Sequence, residues 1–158
     1  MKFRFCVLFS FIFFCEGLLA ASSIQDATQT VYVYRPSSFS SWGRTIVVSL
    51  NGIASTELTN CTFSKLKLPV GIYRFDASLK PWPFDRSAET ISISVNVTSA
   101  GPTYIGYYPN DLSVSEVSAT FTSYSDVKGR YPRFLGVTYP EVASKEILSC
   151  SAVKSMHE

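Results

Sequence analysis

From Thr30 to Leu79 the chain runs in short alternations of apolar and polar residues, cut by three turn signals: Arg35-Pro36, Asn51-Gly52 and Pro69-Val70-Gly71. A period of two sends successive side chains to opposite faces of an extended strand, so this stretch must fold as β-structure with one face buried. Val31 and Val33 alternate with Tyr32 and Tyr34, and Pro36, which lacks a backbone N–H, ends that strand. A Ser-rich loop carrying Phe39 and Trp42 leads to a second strand at Thr45 to Leu50. Asn51-Gly52 then predicts a type I′ hairpin, because both central residues need positive φ and these two types tolerate it. Ile53 to Leu58 returns antiparallel, Phe63 to Leu68 follows, and Pro69-Val70-Gly71 reverses the chain so that Tyr73, Phe75, Ala77 and Leu79 share one face.

The pattern continues beyond a loop at Lys80 to Ala88, where Pro81, Trp82, Pro83 and Phe84 combine blocked pairing with large apolar area. Ile91, Ile93, Val95 and Val97 alternate cleanly with Ser92, Ser94, Asn96 and Thr98, which predicts one buried and one wet face. Further strands are expected at Thr103 to Tyr108, Glu116 to Tyr124 and Phe134 to Thr138. One helix is expected at about 139–150, announced by Thr138-Tyr139-Pro140-Glu141, with Thr138 as the capping side chain and Val142, Ala143, Ile147 and Cys150 on its inner face. Ser151 to Glu158 reads as a frayed tail. Seven to nine short strands and one C-terminal helix define the expected fold: an all-β antiparallel sandwich.

Residues 1–21 are expected to be a signal peptide and residues 22–158 the single sandwich domain. Lys2 and Arg4 precede an apolar run from Phe3 to Phe14 that Cys15, Glu16 and Gly17 interrupt, too short for a membrane-spanning helix of about 20 residues. Ala20 and Ala21 suit cleavage. Lipidation of Cys15 is the alternative, which bulky Phe14 disfavours, since a lipoprotein signal wants a small residue before the cysteine. The chain is therefore expected to be exported, periplasmic or extracellular, and membrane-anchored only if Cys15 carries lipid.

Removing Lys2, Arg4 and Glu16 turns 14 basic and 12 acidic residues into 12 and 11, a formal net charge of +1. Those charges are scattered singly, so neither nucleic acid nor an anionic membrane surface is an expected partner. Tyr131-Pro132-Arg133-Phe134, a lone basic and aromatic cluster, does not change that. Export leaves two cysteines, Cys61 and Cys150, 89 residues apart. In an oxidising compartment they are candidates for a disulfide, which in the chain-entropy model contributes about 4–5 kcal/mol; two buried free thiols are the alternative.

Val31-Tyr32-Val33-Tyr34-Arg35-Pro36-Ser37, the Asn51-Gly52 hairpin and Leu68-Pro69-Val70-Gly71-Ile72-Tyr73 together resemble a bacterial family of envelope and lipoprotein-like proteins of unknown function. The Asn-Gly hairpin and Leu-Pro-x-Gly turn are also similar to PEGA-type surface β-modules. The resemblance covers about 30–77 and implies a secreted or lipid-anchored β-sandwich with no functional residues to carry over.

Chemistry-bearing patterns are sparse. The sole histidine is His157, one residue before position 158, where a frayed tail cannot preorganise a base for a Ser or Cys nucleophile. Cys61 and Cys150 have no histidine neighbours in sequence and lack zinc-site spacing. Asp76, Asp85, Asp111 and Asp126 show no calcium-loop spacing and read as turn formers or outward strand residues. No catalytic residue, cofactor or metal is expected. Arg35 is a candidate for hydrogen bonding carbonyls or pairing a carboxylate where the first strand leaves the sheet. Asn60-Cys61-Thr62 and Asn96-Val97-Thr98 match glycosylation acceptors, relevant only in a host that glycosylates.

With 15% aromatic residues, the remaining signal is Trp42, Trp82, Phe84, Tyr107 and Tyr108, large aromatics in or near expected loops and the candidate binding surface; capping the ends of the sandwich is their plainer role. The expected function is that of a non-enzymatic exported sandwich acting by surface interaction in the bacterial envelope, with an envelope protein or glycan as partner. Glycan or peptidoglycan binding through loop aromatics is the first alternative, and a hydrolase built from scattered carboxylates the second.

Overall fold

The computed structural model describes residues 27–38, 43–80, 90–109, 118–124 and 133–156, with side chains placed in all of these but 118–124. The expected signal peptide, Cys15, Trp42, Trp82, Phe84, Asp85, Asp111, Asp126, Tyr131 and His157 lie outside those residues or their placed side chains.

Among the described residues, ten strands and one helix follow one another as β1 (Thr28–Arg35), β2 (Ile46–Leu50), β3 (Ile53–Leu58), β4 (Thr62–Pro69), β5 (Gly71–Leu79), β6 (Thr90–Val97), β7 (Thr103–Pro109), β8 (Ser118–Tyr124), β9 (Arg133–Thr138), α1 (Pro140–Leu148) and β10 (Ser151–Ala152). They form an all-β, two-sheet sandwich: one sheet in the order β10-β4-β1-β7-β9-β8, the other β3-β2-β5-β6. Most pairings are antiparallel, as expected, but β1 pairs with β7 and β10 with β4 in parallel. The chain leaves β1, builds the whole second sheet apart from one return to β4, and re-enters beside β1 running the same way, which demands a long crossover. No local pattern in the sequence encodes that partner.

The alternation sets the core. Val31, Val33, Ile105 and Leu135 from one sheet meet Val48, Phe75, Ile93 and Val97 from the other, all at most 5% exposed. At the Asn51-Gly52 hairpin both residues have positive φ, 50° and 83°, as the type I′ turn requires. The turn is also clamped to its neighbour, because Asn51 N donates to Arg74 O at 2.8 Å and Arg74 N donates to Asn51 Oδ1 at 2.9 Å.

Arg35 shares the inward parity of Val31 and Val33 and is fully buried at the end of β1. Its Nη1 donates to the carbonyl of Arg44, two residues before β2, so one guanidinium ties the two sheets together. Burial pushes its pKa down from the usual guanidinium range, partly offset by Tyr107.

Three expectations at the C-terminus need correction. Tyr139, not Thr138, is the N-cap of α1, and it caps without a side-chain hydrogen bond: its carbonyl receives Val142 N and Ala143 N at 3.1 and 3.0 Å. Thr138 is the last residue of β9 and turns its hydroxyl towards Tyr108 instead. Nor is the segment after the helix frayed. Ser151–Ala152 pairs with Thr62–Phe63 as β10, Val153 N donates to Phe63 O at 2.8 Å, and Met156 N donates to Ser55 O at 2.8 Å. The tail thus passes from the edge of one sheet to the edge of the other. Cys150 lies beyond the helix rather than on its inner face.

Candidate functional site

Because Val31 and Val33 point into the sandwich, Tyr32 and Tyr34 must point to the opposite, outer face of the first sheet. The register then lines up Lys65, Tyr32 and Tyr104 across β4, β1 and β7, and beside them Phe63, Tyr34 and Gly106. Helix α1 covers only part of this face, and the two rows meet different fates.

Under the helix, Tyr34 and Tyr108 are buried together with Ala143. Their rings meet edge to face at 6.2 Å, and their hydroxyls lie 2.6 Å apart. Both hydroxyls donate to Glu146 Oε2, at 2.7 and 2.9 Å, and Tyr108 also lies 3.3 Å from Thr138 Oγ1. Burial is the main cause that raises both phenols above their ordinary pKa, with the neighbouring Tyr108 adding to the shift of Tyr34. Gly106 makes this packing possible, since a Cβ there would stand 2.5 Å from the Tyr108 ring and 2.9 Å from Thr138 Oγ1. The two phenols are buried and Glu146 is partly exposed, and the cluster's role is to fasten the helix to the sheet.

Outside the helix, Tyr32 and Tyr104 stack nearly parallel, with ring centroids 5.2 Å apart and an interplanar angle of 8°. Phe63 tilts against Tyr32 at 6.3 Å, and Lys65 Nζ sits 5.9 Å from the Tyr32 ring centroid. All three rings are half-buried, while Lys65 and Lys67 are exposed, Lys67 Nζ donating to Thr30 Oγ1 at 2.8 Å. This is a half-buried aromatic ledge with a basic margin, and Phe63 and Tyr104 also pack against the Tyr34–Tyr108–Ala143 cluster.

Of the candidate binding aromatics, only Tyr107 and Tyr108 lie among the described residues. Tyr107 and Tyr108 stand in β7, within the expected strand, and are 2% exposed, one facing the core and the other the helix, so neither offers a surface. Trp42, Trp82 and Phe84 fall outside the described residues. Tyr32, Tyr104, Phe63, Lys65 and Glu146 were not singled out from sequence, although the Tyr-x-Tyr alternation with valine already assigns Tyr32 to the outer face.

Cys61 and Cys150 are brought to disulfide distance, with Cα atoms 4.6 Å apart. Cys61 sits at the turn into β4 with φ 51°. Asp76, an outward residue of β5, is paired with Arg74 Nε at 2.8 Å and accepts from Ser92 Oγ. Asn60 Oδ1 accepts from Ser38 N at 2.8 Å, whereas Asn96 is exposed on β6. Among the described residues, no three His, Cys, Asp or Glu side chains gather as metal ligands, and no helix is long and apolar enough to cross a membrane. Compared with protein-family models, curated proteins and solved structures, the chain matches none of them.

Proposed function

We propose that this chain is an exported, non-enzymatic β-sandwich that acts by surface contact in a bacterial envelope, through the outer face of its six-stranded sheet. The observation that carries this reading is the half-buried Tyr32–Tyr104 ledge, bordered by Phe63 and Lys65. Half-exposed aromatic rings held rigid by sheet register give contact area at little entropic cost.

Binding to glycan or peptidoglycan is the second reading, favoured by the same ledge because ring faces stack on sugars while lysines meet carboxylates. Co-sedimentation with purified peptidoglycan, beside surface capture from an envelope-protein fraction, separates the two. Wild type and a Tyr32→Ser/Tyr104→Ser variant of unchanged thermal stability are compared. Loss of binding in the variant is expected in one of the two assays; equal binding by both proteins would overturn the assignment of this face.

A further inference from the structure

Residues 151–156 form a strap that closes one side of the sandwich. It pairs with β4 through Ser151 N to Cys61 O at 3.1 Å and Val153 N to Phe63 O at 2.8 Å, then crosses to β3, where Met156 N reaches Ser55 O at 2.8 Å and Thr56 Oγ1 reaches the Lys154 carbonyl at 3.5 Å. Ser151, Ala152, Lys154 and Met156 are exposed, and Val153 is the one apolar residue of the strap packed on the core. A strap held mainly by a few backbone bonds and one valine is the kind of segment that opens locally below the global unfolding free energy.

What precedes the strap is held differently. Helix α1 is fixed by the Tyr34–Tyr108–Glu146 cluster and by Ala143, which is fully buried, independently of any covalent link. Between these two unequal attachments sits the Cys61–Cys150 pair, which pins the chain to the start of β4 where it leaves the helix. Both cysteines are partly exposed, so a small reductant can reach them.

We infer that the Cys61–Cys150 disulfide is a redox latch for the C-terminal strap: its reduction releases residues 151–156 from the β3 and β4 edges while leaving α1 docked and the sandwich folded. The reductant is a dithiol. One of its thiolates attacks a sulfur of the bridge, forming a mixed disulfide and expelling the other cysteine as thiolate; the second thiol then displaces the first cysteine. Two electrons pass to the protein, leaving Cys61 and Cys150 as thiols and the reductant as a disulfide. Release strips the carbonyls of Phe63 and Ser55 of their donors and uncovers that side of the sandwich. The inference does not depend on the identity of any binding partner.

Hydrogen exchange read by mass spectrometry tests it on the full exported chain, oxidised and after treatment with dithiothreitol. The expected result is exchange about tenfold or more faster at the amides of Val153 and Met156, with the amides of 140–148 unchanged. A Cys61→Ser/Cys150→Ser variant without reductant should reproduce the reduced pattern; if that variant does not fold, the reduced wild type decides alone. A strap that stays protected after reduction would overturn the inference, and so would a strap and helix that lose protection together.

Discussion

The hydroxyls of Tyr34 and Tyr108 meet 2.6 Å apart beneath α1, and Glu146 Oε2 reaches both. Tyr34 comes from β1, Tyr108 from β7 and Glu146 from the helix, so one carboxyl group gathers three elements that are distant in sequence. Removing it by Glu146→Ala takes away the carboxylate both hydroxyls share, leaving them only each other and Thr138 Oγ1, and should cost about 1–3 kcal/mol. Urea denaturation checks this. The double variant Tyr34→Phe/Tyr108→Phe should cost less than the sum of its single changes, because both phenols share one acceptor.

The same two phenols predict the alkaline limit of the fold. Burial raises both above the ordinary tyrosine value of 10.0, so above that pH the unfolded chain gives up protons that the folded chain keeps. The stability they contribute is fully present below that pH and falls as pH rises beyond it. Phenolate absorbance followed together with circular dichroism should show these two of the nine tyrosines ionising only as structure is lost. Complete tyrosine titration in a protein that remains folded would contradict their burial.

Gly106→Ala should be costly for steric reasons. Its new methyl would press on the Tyr108 ring and on Thr138 Oγ1, and the overpacking should destabilise by about 1–3 kcal/mol. Gly43 has nothing within 4 Å of its hypothetical Cβ, so Gly43→Ala should fall within about 0.5 kcal/mol of wild type. Thermal melts of the two variants make the comparison.

Arg35→Lys tests the inter-sheet tie. Lysine keeps the charge but loses the planar fork that reaches the Arg44 carbonyl from a fully buried position. A loss of about 1–3 kcal/mol is expected in urea denaturation. An unchanged midpoint would show that the guanidinium does not join the sheets.

The strands, the Asn51-Gly52 turn and the inward valines were legible in the sequence because each depends on residues a few positions apart. The aromatic ledge was only half legible: alternation sends Tyr32 and Tyr104 outward, but their stacking depends on the parallel β1–β7 pairing, which has no local signal. Thr103 to Tyr108 is legible as a strand, but the burial of Tyr107 and Tyr108 is not, because it depends on the core packing of one ring and on α1 covering the other. The strap was missed because the polar segment from Ser151 earns its order from backbone bonds to β4 and β3.

Surface contact through the outer face of the six-stranded sheet is tested most directly by nuclear magnetic resonance titration of the folded protein with soluble peptidoglycan fragments and, separately, with a solubilised envelope-protein fraction. The expected result is that one of these ligands shifts the Tyr32 and Tyr104 ring signals together with the Phe63 and Lys65 amides, leaving Arg74, Asp76 and Ser92 on the other sheet unmoved. Shifts confined to the Arg74–Asp76–Ser92 face, or none with either ligand, would contradict it.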